Sequence, residues 1–391
     1  MSHSKLLLAG FFLCVAAYAA KAADAETNSI SHDRMQAIYD EVKTPFKYGV
    51  VLEPPAGKKV DCPNVFRQDG KWYMVYVQLE GEPIQGYTTQ LAESDDLLHW
   101  KPLGTILQRG ETNAWDQANA AGGVALFDTK WNGSDALQKY DGRYWLSYFG
   151  GSIFGYEKTP LAICIAATSN PTKPKPWQKL PQPVLKPSDA DARPLETDTL
   201  YKSYIFRDDA KTLGAPFVMF YNAKPPHGSE RIFAAVSDDL ETWKRSGTGP
   251  TLENLPPAGS KRGVISGDPQ VVRMGDEWVM FYFGAFWKQG AFNTFAASHD
   301  LVHWTKWDGE DLVRASEPYD TPFAHKPWII KYDGVVYQFY CAVGGKTQHR
   351  VIALATSKDL KNKSAAQPET VWDAVGTANT QTPALVFRRG P

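Results

Sequence analysis

The segment Asp69-Gly70-Lys71-Trp72-Tyr73-Met74-Val75-Tyr76, followed by Ser94-Asp95-Asp96-Leu97-Leu98-His99-Trp100, indicates the architecture because its pattern is repeated along the sequence. A turn precedes an aromatic strand, and a second strand ends in a Ser/Asp turn, usually with a tryptophan. The pattern returns four more times, beginning at Asp141, Phe217, Gly275 and Asp333. Copies lie roughly 58 to 75 residues apart, which is typical of four-stranded propeller blades with long loops. The repeats predict an all-β fold, a five-bladed β-propeller of four-stranded antiparallel blades.

The residues before the first repeat predict an export signal. Lys5 precedes an apolar run from Leu6 to Ala20, and Ala20-Lys21-Ala22 has the small-x-small form of a cleavage site. The apolar run is too short to predict a membrane span. We therefore expect residues 1–22 to be a signal peptide and the mature protein to be secreted or periplasmic.

A short helix is expected next. Apolar side chains recur at helical spacing at Met35, Ile38, Tyr39 and Val42, and Thr44-Pro45 ends the pattern. Residues 23–45 are thus predicted to form an N-terminal lead with one helix. Residues 46–391 are predicted to form the propeller as a single catalytic domain.

Composition narrows the classes of partner. The 391 residues carry a formal net charge of -1, and no basic stripe is evident, so nucleic acid is a poor candidate. Aromatic residues make up 13% of the sequence, and composition alone favours a structural role for them in the core, although the surplus suits a surface that stacks against sugar rings. Beyond the signal peptide, Cys62, Cys164 and Cys341 are odd in number and widely spaced, which argues against a disulfide framework or a zinc site.

Many of the acidic residues belong to turns. Asp69, Asp141 and Asp333 precede glycine between two strands, where a tight turn requires positive φ. The Ser-x-Asp-Leu segments are expected to close turns through side-chain bonds to backbone amides, with tryptophan packed beneath them. These aspartates are therefore predicted to be scaffold.

Other acidic residues lie where chemistry is expected. The inner strand of a propeller blade precedes the Asp-Gly turn, and its N-terminal end faces the axial pocket. Four of the five predicted strand entries carry carboxylates and the fifth carries a His-Lys pair, namely Asp61, Asp116, Glu196 with Asp198, Asp268, and His325-Lys326. Glycoside hydrolysis requires two carboxyl groups that flank the scissile bond. A third acid nearby raises the pKa of the proton donor.

These repeats and acids resemble the five-bladed propeller glycoside hydrolases, a group that includes families 32, 43, 68, 117 and 130. The resemblance covers about residues 46–360 and is nearest to family 43. It implies that Asp61 is the general base, that Asp198 modulates a pKa, and that blade four supplies the general acid. It also implies that His325 lies near the axis, where the family often holds calcium or water.

The proton donor stays open between two residues. Family 43 has glutamate in blade four, whereas this protein has Asp268, which is one methylene shorter. Glu196 is the main alternative donor, with Glu317 behind it. Strand side chains alternate between faces. Asp61 and Asp268 occupy different positions relative to the following proline, so they need not point the same way.

Several further residues are candidates for substrate binding. Trp115 and Asp116 would supply an aromatic platform and a hydroxyl acceptor. His227 and Arg231 follow the third aromatic strand, and Arg262 lies just ahead of Asp268. His325 and Lys326, at the fifth strand entry, are also candidates.

The predicted function is a secreted glycoside hydrolase that cleaves a plant or algal polysaccharide or oligosaccharide by inversion. The first alternative is a phosphorolytic enzyme on the same scaffold, because His325 and Lys326 form a cationic pair of the kind that holds phosphate. The second is a propeller that binds glycans without cleaving them, since this fold hosts many functions.

No cofactor is required by the predicted chemistry. A structural calcium ion near the axis stays an alternative, although no string of acidic ligands supports it. The oligomeric state is not predicted.

Overall fold

A computed structural model describes residues 28–81, 83–254, 265–286 and 290–361. The predicted signal peptide, residues 1–22, lies outside the described residues. No helix among the described residues has the length and apolar character of a membrane span.

The described part of the protein is nearly all β, as the repeats predict. Its elements, in order along the sequence, are α1 (His32–Val42), β1 (Phe46–Leu52), β2 (Lys59–Gln68), β3 (Lys71–Glu80), β4 (Gly86–Ser94), β5 (Lys101–Leu107), β6 (Asn119–Val124), β7 (Tyr144–Gly151), β8 (Ala162–Thr168), β9 (Gln178–Lys179), β10 (Thr199–Arg207), β11 (Phe217–Lys224), β12 (Arg231–Ser237), β13 (Lys244–Ser246), β14 (Ile265–Met274), β15 (Glu277–Phe286), β16 (Gly290–Ser298), β17 (Thr305–Lys306), β18 (Val313–Arg314), β19 (Pro322–Tyr332), β20 (Val335–Gly344) and β21 (His349–Thr356).

The strands pair in antiparallel groups that follow the sequence repeats. The groups are β2–β5, β6–β9, β10–β13, β14–β17, and β19–β21 completed by β1. The last group joins the two ends of the described sequence, because β1 pairs with β21 with Phe46 opposite Thr356. The first strands of the groups, which we call the inner strands, are β2, β6, β10, β14 and β19. Each inner strand packs against the next, and β19 returns to β2, which closes a ring.

The Asp-Gly turns lie at one end of this ring. Asp69 and Gly70 join β2 to β3 with φ values of 52° and 81°. Both central residues thus have positive φ, the geometry in which a two-residue turn matches the twist of the flanking strands. The prediction that these aspartates serve turns is confirmed.

The Ser/Asp turns lie at the same end, after the third strand of a group. Ser94 Oγ accepts hydrogen bonds from the amides of Asp96 and Leu97, and the indole of Trp100 donates to the Leu97 carbonyl. The same bonds recur in the turns that begin at Ser237 and Ser298.

Because successive strands alternate in direction, the loops between the second and third strands of each group lie at the opposite end of the ring. We call that opposite end the pocket end.

The N-terminal helix is confirmed. Ser31 caps it, with its side chain accepting a hydrogen bond from the Arg34 amide. Met35, Ile38 and Val42 are buried and pack with residues of β14 and β15. The hydrophobic face that the sequence predicts therefore attaches α1 to the fourth strand group.

Candidate active site

Four of the five inner strands contain the same irregularity near their N-terminal ends. The register with the second strand shifts between Asp61 and Asn64, and equivalent shifts occur in β10, β14 and β19. A single residue in each bulge has positive φ, namely Cys62 (50°), Lys202 (49°), Asp268 (53°) and Lys326 (59°). A bulge redirects the side chain at that position. All four residues line one cavity inside the ring.

This cavity is lined from all five inner strands. The side of the cavity formed by β6 presents very little side-chain volume, because it consists of Ala121, Gly122 and Gly123. A Cβ atom on Gly123 would lie 2.5 Å from Asn64 Oδ1, so glycine permits the close approach of β6 to β2. Trp328 of β19 lies on the wall, and its indole donates a hydrogen bond to the Val65 carbonyl.

Asp61 is buried behind the bulge residues and is held by two cations. Lys326 Nζ and Arg350 Nη1 each donate a hydrogen bond of 2.6 Å to Asp61 Oδ2, and the Cys62 amide donates to Oδ1 at 3.0 Å. Only 3% of the Asp61 side chain is exposed. Burial alone would raise the pKa of this carboxyl, but the two cations outweigh it and hold the pKa well below its ordinary value. Asp61 is therefore a fixed anion.

Lys202 lies between two further carboxylates. Its ammonium nitrogen is 2.9 Å from Glu157 Oε1 and 3.9 Å from Asp268 Oδ2. Glu157 comes from the loop between β7 and β8, at the pocket end. Burial opposes ionisation of Glu157, but Lys202 and then Lys326 lower its pKa below the ordinary value. Glu157 is thus held ionised by an ammonium group that also faces Asp268.

Asn222 joins Asp268 to a third acid. The Asn222 amide nitrogen lies 3.1 Å from Glu230 Oε2 and 3.4 Å from Asp268 Oδ2, and Asn222 Oδ1 accepts a hydrogen bond of 2.9 Å from the Asp268 amide. Asn222 is fully buried and Glu230 nearly so. Glu230 and Asp268 therefore share one amide donor and lie side by side.

Asp268 has the electrostatics of a proton donor. The pKa of its carboxyl is raised to about 6, because burial and the negative charges of Glu230 and Asp61, which raise it, outweigh Lys202 and Lys326, which lower it. A carboxyl with this pKa carries a proton in slightly acidic solution, whereas Glu157 does not. Two carboxyl groups whose environments separate their pKa values are what acid–base catalysis on a glycosidic bond needs.

His325 lies behind the cavity wall, next to Asp61. Its Nδ1 lies 3.1 Å from the Cys341 carbonyl oxygen, and its ring packs edge-on against Phe283. Burial and the charge of Lys326 hold the pKa of His325 well below its ordinary value, so the ring is neutral. Ligand atoms of Asp61, His325 and Cys341 lie within 4.8 Å of one another. These residues do not fit a calcium ion, because calcium prefers oxygen ligands and the one carboxylate already binds two cations.

The structure places the other two predicted acids away from the cavity. Glu196 is fully buried and receives hydrogen bonds from Arg193, with Nε at 2.7 Å and Nη2 at 2.9 Å. Tyr221 and Arg245 bind the same carboxylate. Asp198 accepts a hydrogen bond of 3.1 Å from the neighbouring Thr199 hydroxyl. Neither lines the cavity, because β10 begins at Thr199 and the bulge residue of this strand is Lys202.

Most of the predicted binding residues also lie outside the cavity lining. Asp116 is buried against Lys179 at 2.6 Å, and the Trp115 ring stacks on Tyr148. His227 is exposed on the loop between β11 and β12, and the Arg231 guanidinium donates to the Ser229 carbonyl. Glu317 lies in the turn that precedes β19, where its carbonyl accepts from the Asp320 amide. Arg262 lies outside the described residues.

Sequence reasoning missed five residues of the site, which are Glu157, Lys202, Asn222, Glu230 and Arg350. A signal for Lys202 was present. Tyr201-Lys202-Ser203 occupies the same bulge as Gly267-Asp268-Pro269 and His325-Lys326-Pro327, but serine stands where the other two have proline. Glu157 and Glu230 lie in loops, where no repeat marks their position.

Comparison with known proteins points to the same chemistry. A solved complex of BT0996 with RGII is 44% identical, covers 87% of this protein and 98% of its own length, and superposes with a TM-score of 0.79. A second solved structure, described as "Glycoside hydrolase", is 45% identical with the same coverage and a TM-score of 0.80. A thermostable family-43 glycoside hydrolase is 17% identical over 78% of this protein and 91% of its own length, with a TM-score of 0.55, and shares the fold. No protein-family model matches the sequence, and no curated protein sequence matches it.

A closed ring of β-strands surrounds a cavity lined by Asp268, Lys202 and Lys326, and similar solved structures are described as glycoside hydrolases, so the protein is a glycan-degrading enzyme. The protein belongs to the glycoside hydrolases, within the group whose members have propeller folds. It is a glycosidase.

Proposed function

We propose that the protein hydrolyses a glycosidic bond with Asp268 as general acid and Glu157 as general base. The observation that carries this proposal is the single ammonium group of Lys202, which lies 2.9 Å from Glu157 and 3.9 Å from Asp268. Lys202 keeps the Glu157 carboxylate ionised, while burial and Glu230 raise the pKa of Asp268 to about 6, so that this carboxyl is mostly protonated below pH 6. Glu230 then has the pKa-raising role that the family resemblance implied for Asp198.

In this mechanism the Asp268 carboxyl gives its proton to the glycosidic oxygen as the bond from that oxygen to the anomeric carbon breaks. Glu157 takes a proton from a water molecule, and the oxygen of that water forms the new bond to the anomeric carbon. The products are an alcohol and a sugar with a free anomeric hydroxyl. Asp268 ends ionised and Glu157 protonated, and exchange with solvent restores both.

Inversion is the stereochemical course that we propose. Inverting enzymes hold the two carboxyl groups about 6.5–9.5 Å apart, which leaves room for water, whereas retaining enzymes hold them at about 5 Å. Glu157 Oε1 and Asp268 Oδ2 lie 2.9 and 3.9 Å from the Lys202 ammonium, so these two oxygens can be no farther apart than the lower end of the inverting range, and the first-formed anomer tests this course.

Asp61, the base predicted from the sequence, receives a different role. Both of its carboxylate oxygens accept hydrogen bonds, and two cations bind Oδ2. A carboxylate so strongly stabilised in its ionised form is a weak base. We propose that Asp61 positions Lys326 in the cavity wall and takes no proton from water.

The substrate that we propose is a plant or algal oligosaccharide, of the kind that RGII in the similar complex represents. We also propose that the protein is exported after cleavage behind Ala22, and that the five strand groups are the blades of a five-bladed propeller. Hydrolysis is favoured over phosphorolysis because the cations Lys202, Lys326 and Arg350 are all engaged by carboxylates in the described structure.

The test is turnover of RGII oligosaccharides by the wild type and by Asp268→Asn and Glu157→Gln. Each substitution is expected to lower kcat by about a hundredfold to ten-thousandfold, because it removes a proton-transfer group. Asp276→Asn is the control, since Asp276 is exposed in the turn between β14 and β15. Proton NMR of the first-formed anomer reports inversion or retention. Full activity of Asp268→Asn would refute the assignment of the acid.

A further inference from the structure

One short loop carries much of the exposed apolar surface of the described residues. Five large hydrophobic side chains in the described structure are exposed, and three of them lie close together in the loop between β7 and β8. They are Ile153 (48% exposed), Phe154 (49%) and Tyr156 (39%). Exposed aromatic side chains grouped in this way mark a binding surface more often than isolated ones do.

The loop belongs to the pocket end of the ring. Glu157, the next residue after Tyr156, pairs with Lys202, which lines the cavity. The two aromatic rings are therefore joined by a very short stretch of backbone to a carboxylate of the site. A ligand that extends from the cavity toward solvent on this side meets them first.

The Tyr156 ring is held in place by the site itself. Arg350 Nη2 donates a hydrogen bond of 3.0 Å to the Tyr156 hydroxyl, while Nη1 of the same guanidinium binds Asp61. The guanidinium also lies over the ring, 5.1 Å from its centroid. A ring fixed before binding loses little conformational entropy when a ligand covers it.

The Phe154 ring contacts Arg109, which lies after the last strand of the first strand group. The Arg109 guanidinium lies 5.8 Å from the Phe154 ring centroid and donates to the Gln85 carbonyl just before β4. The Tyr87 ring, at the start of β4, lies 6.2 Å from the Tyr156 ring. Both exposed rings thus lie above the beginning of β4, on one side of the mouth of the cavity.

We propose that Phe154 and Tyr156 form a subsite that stacks against a sugar ring of the substrate, the one next to the sugar held in the cavity. This inference rests on the proposed function, because it assumes that a glycan occupies the cavity. Sugar rings present apolar C–H faces, and aromatic side chains bind such faces while leaving the hydroxyl groups in water. The subsite would select a substrate of two or more sugar units over a single glycoside.

Phe154→Ala tests the subsite. Its kcat/KM on RGII oligosaccharides is expected to fall about tenfold, which corresponds to loss of one aromatic stacking contact. On the methyl glycoside of the sugar that the enzyme releases, kcat/KM is expected to stay within about twofold. Phe154→Trp, which keeps an aromatic face, should retain activity on both. Val302→Ala is the control, because Val302 is 54% exposed but lies in a Ser/Asp turn at the opposite end of the ring.

Binding measurements distinguish failure of the aromatic subsite from failure of the proposed hydrolytic function. Calorimetry with the same oligosaccharides on Asp268→Asn is expected to give about tenfold tighter binding than on Asp268→Asn combined with Phe154→Ala. Equal binding by the two proteins would overturn the subsite, as would an equal loss on both substrates in the kinetic test. Binding without turnover by the wild type would overturn only the hydrolytic assignment. Absence of any binding would overturn both.

Discussion

Lys202 and Asp268 occupy the same bulge position on neighbouring inner strands, and the Lys202 ammonium lies 3.9 Å from Asp268 Oδ2. Both residues have positive φ, which directs their side chains into the cavity. A cation and an acid are thus held next to each other by backbone geometry that the strand repeat supplies. The ionisation of Asp268 depends on this neighbour, on burial and on Glu230.

The first prediction concerns the pH dependence of the wild type. Asp268 must be protonated to act as the acid, and its pKa is about 6. Since the proton is lost above this value, kcat/KM should fall about tenfold per pH unit at higher pH. Initial rates from about pH 4 to about pH 9 at constant ionic strength check this. A profile that stays flat to about pH 8 would contradict the assignment.

Replacement of Lys202 should move the whole pH profile. Lys202 lowers the pKa of both Glu157 and Asp268, so Lys202→Met is expected to raise both values. The acidic and basic limbs of kcat/KM should then both shift to higher pH. Lys202→Arg keeps the charge and should shift them less. A fall in kcat/KM with both limbs unmoved would show that Lys202 acts in another way.

The ion pair between Asp61 and Lys326 should stabilise the fold. Asp61→Asn leaves Lys326 and Arg350 without their buried carboxylate, which typically costs about 3–5 kcal/mol. Lys326→Met is expected to cost less, because Arg350 still pairs with Asp61. Urea unfolding of both single variants and the double variant gives the coupling energy. If the losses of unfolding free energy in the two single variants add up to the loss in the double variant, the coupling energy between Asp61 and Lys326 is zero.

The stabilisation that Asp61 provides through its ion pairs depends on pH. The folded pKa of Asp61 is depressed, so its contribution is present above the unfolded value of about 3.9 and is lost as pH falls through the folded pKa. The stability difference between the wild type and Asp61→Asn should therefore shrink in acid. A difference that grows in acid would contradict the depressed pKa.

Replacement of Glu196 is expected to lower the stability of the fold without lowering kcat. It is fully buried among Arg193, Tyr221 and Arg245, away from the cavity. Glu196→Gln should cost about 3–5 kcal/mol of stability, because two buried guanidinium groups lose a charged partner. Its kcat per folded molecule should stay within about twofold of the wild type. Thermal unfolding measures the loss of stability, and initial rates divided by the folded fraction from circular dichroism measure kcat per folded molecule. A large loss of kcat in folded protein would make Glu196 a candidate proton donor again.

The fold was largely predictable because its signals are local. Strand alternation, Asp-Gly turns and Ser/Asp turns each depend on residues a few positions apart, and α1 depends on one apolar face. Repetition strengthened these signals, since each further copy of a turn supports the same strand boundaries independently.

The site was predicted less completely. Asp268, Lys326 and His325 were identified from their positions at strand entries, and the structure brings them together with Asp61. The same positional argument points to Glu196 and Asp198, but β10 begins at Thr199, after both acids. A strand boundary predicted a few residues too early therefore points to these acids and not to Lys202.

The strands and their turns follow from short-range periodicity and backbone preference, so they can be predicted from the order of the residues. Which charges meet depends on the tertiary structure. Glu157, Lys202 and Asp268 come from three strand groups, and their pKa values depend on distances of a few ångströms between residues far apart in the sequence. Electrostatic energy varies with such distances and with burial, and neither is encoded by spacing along the sequence.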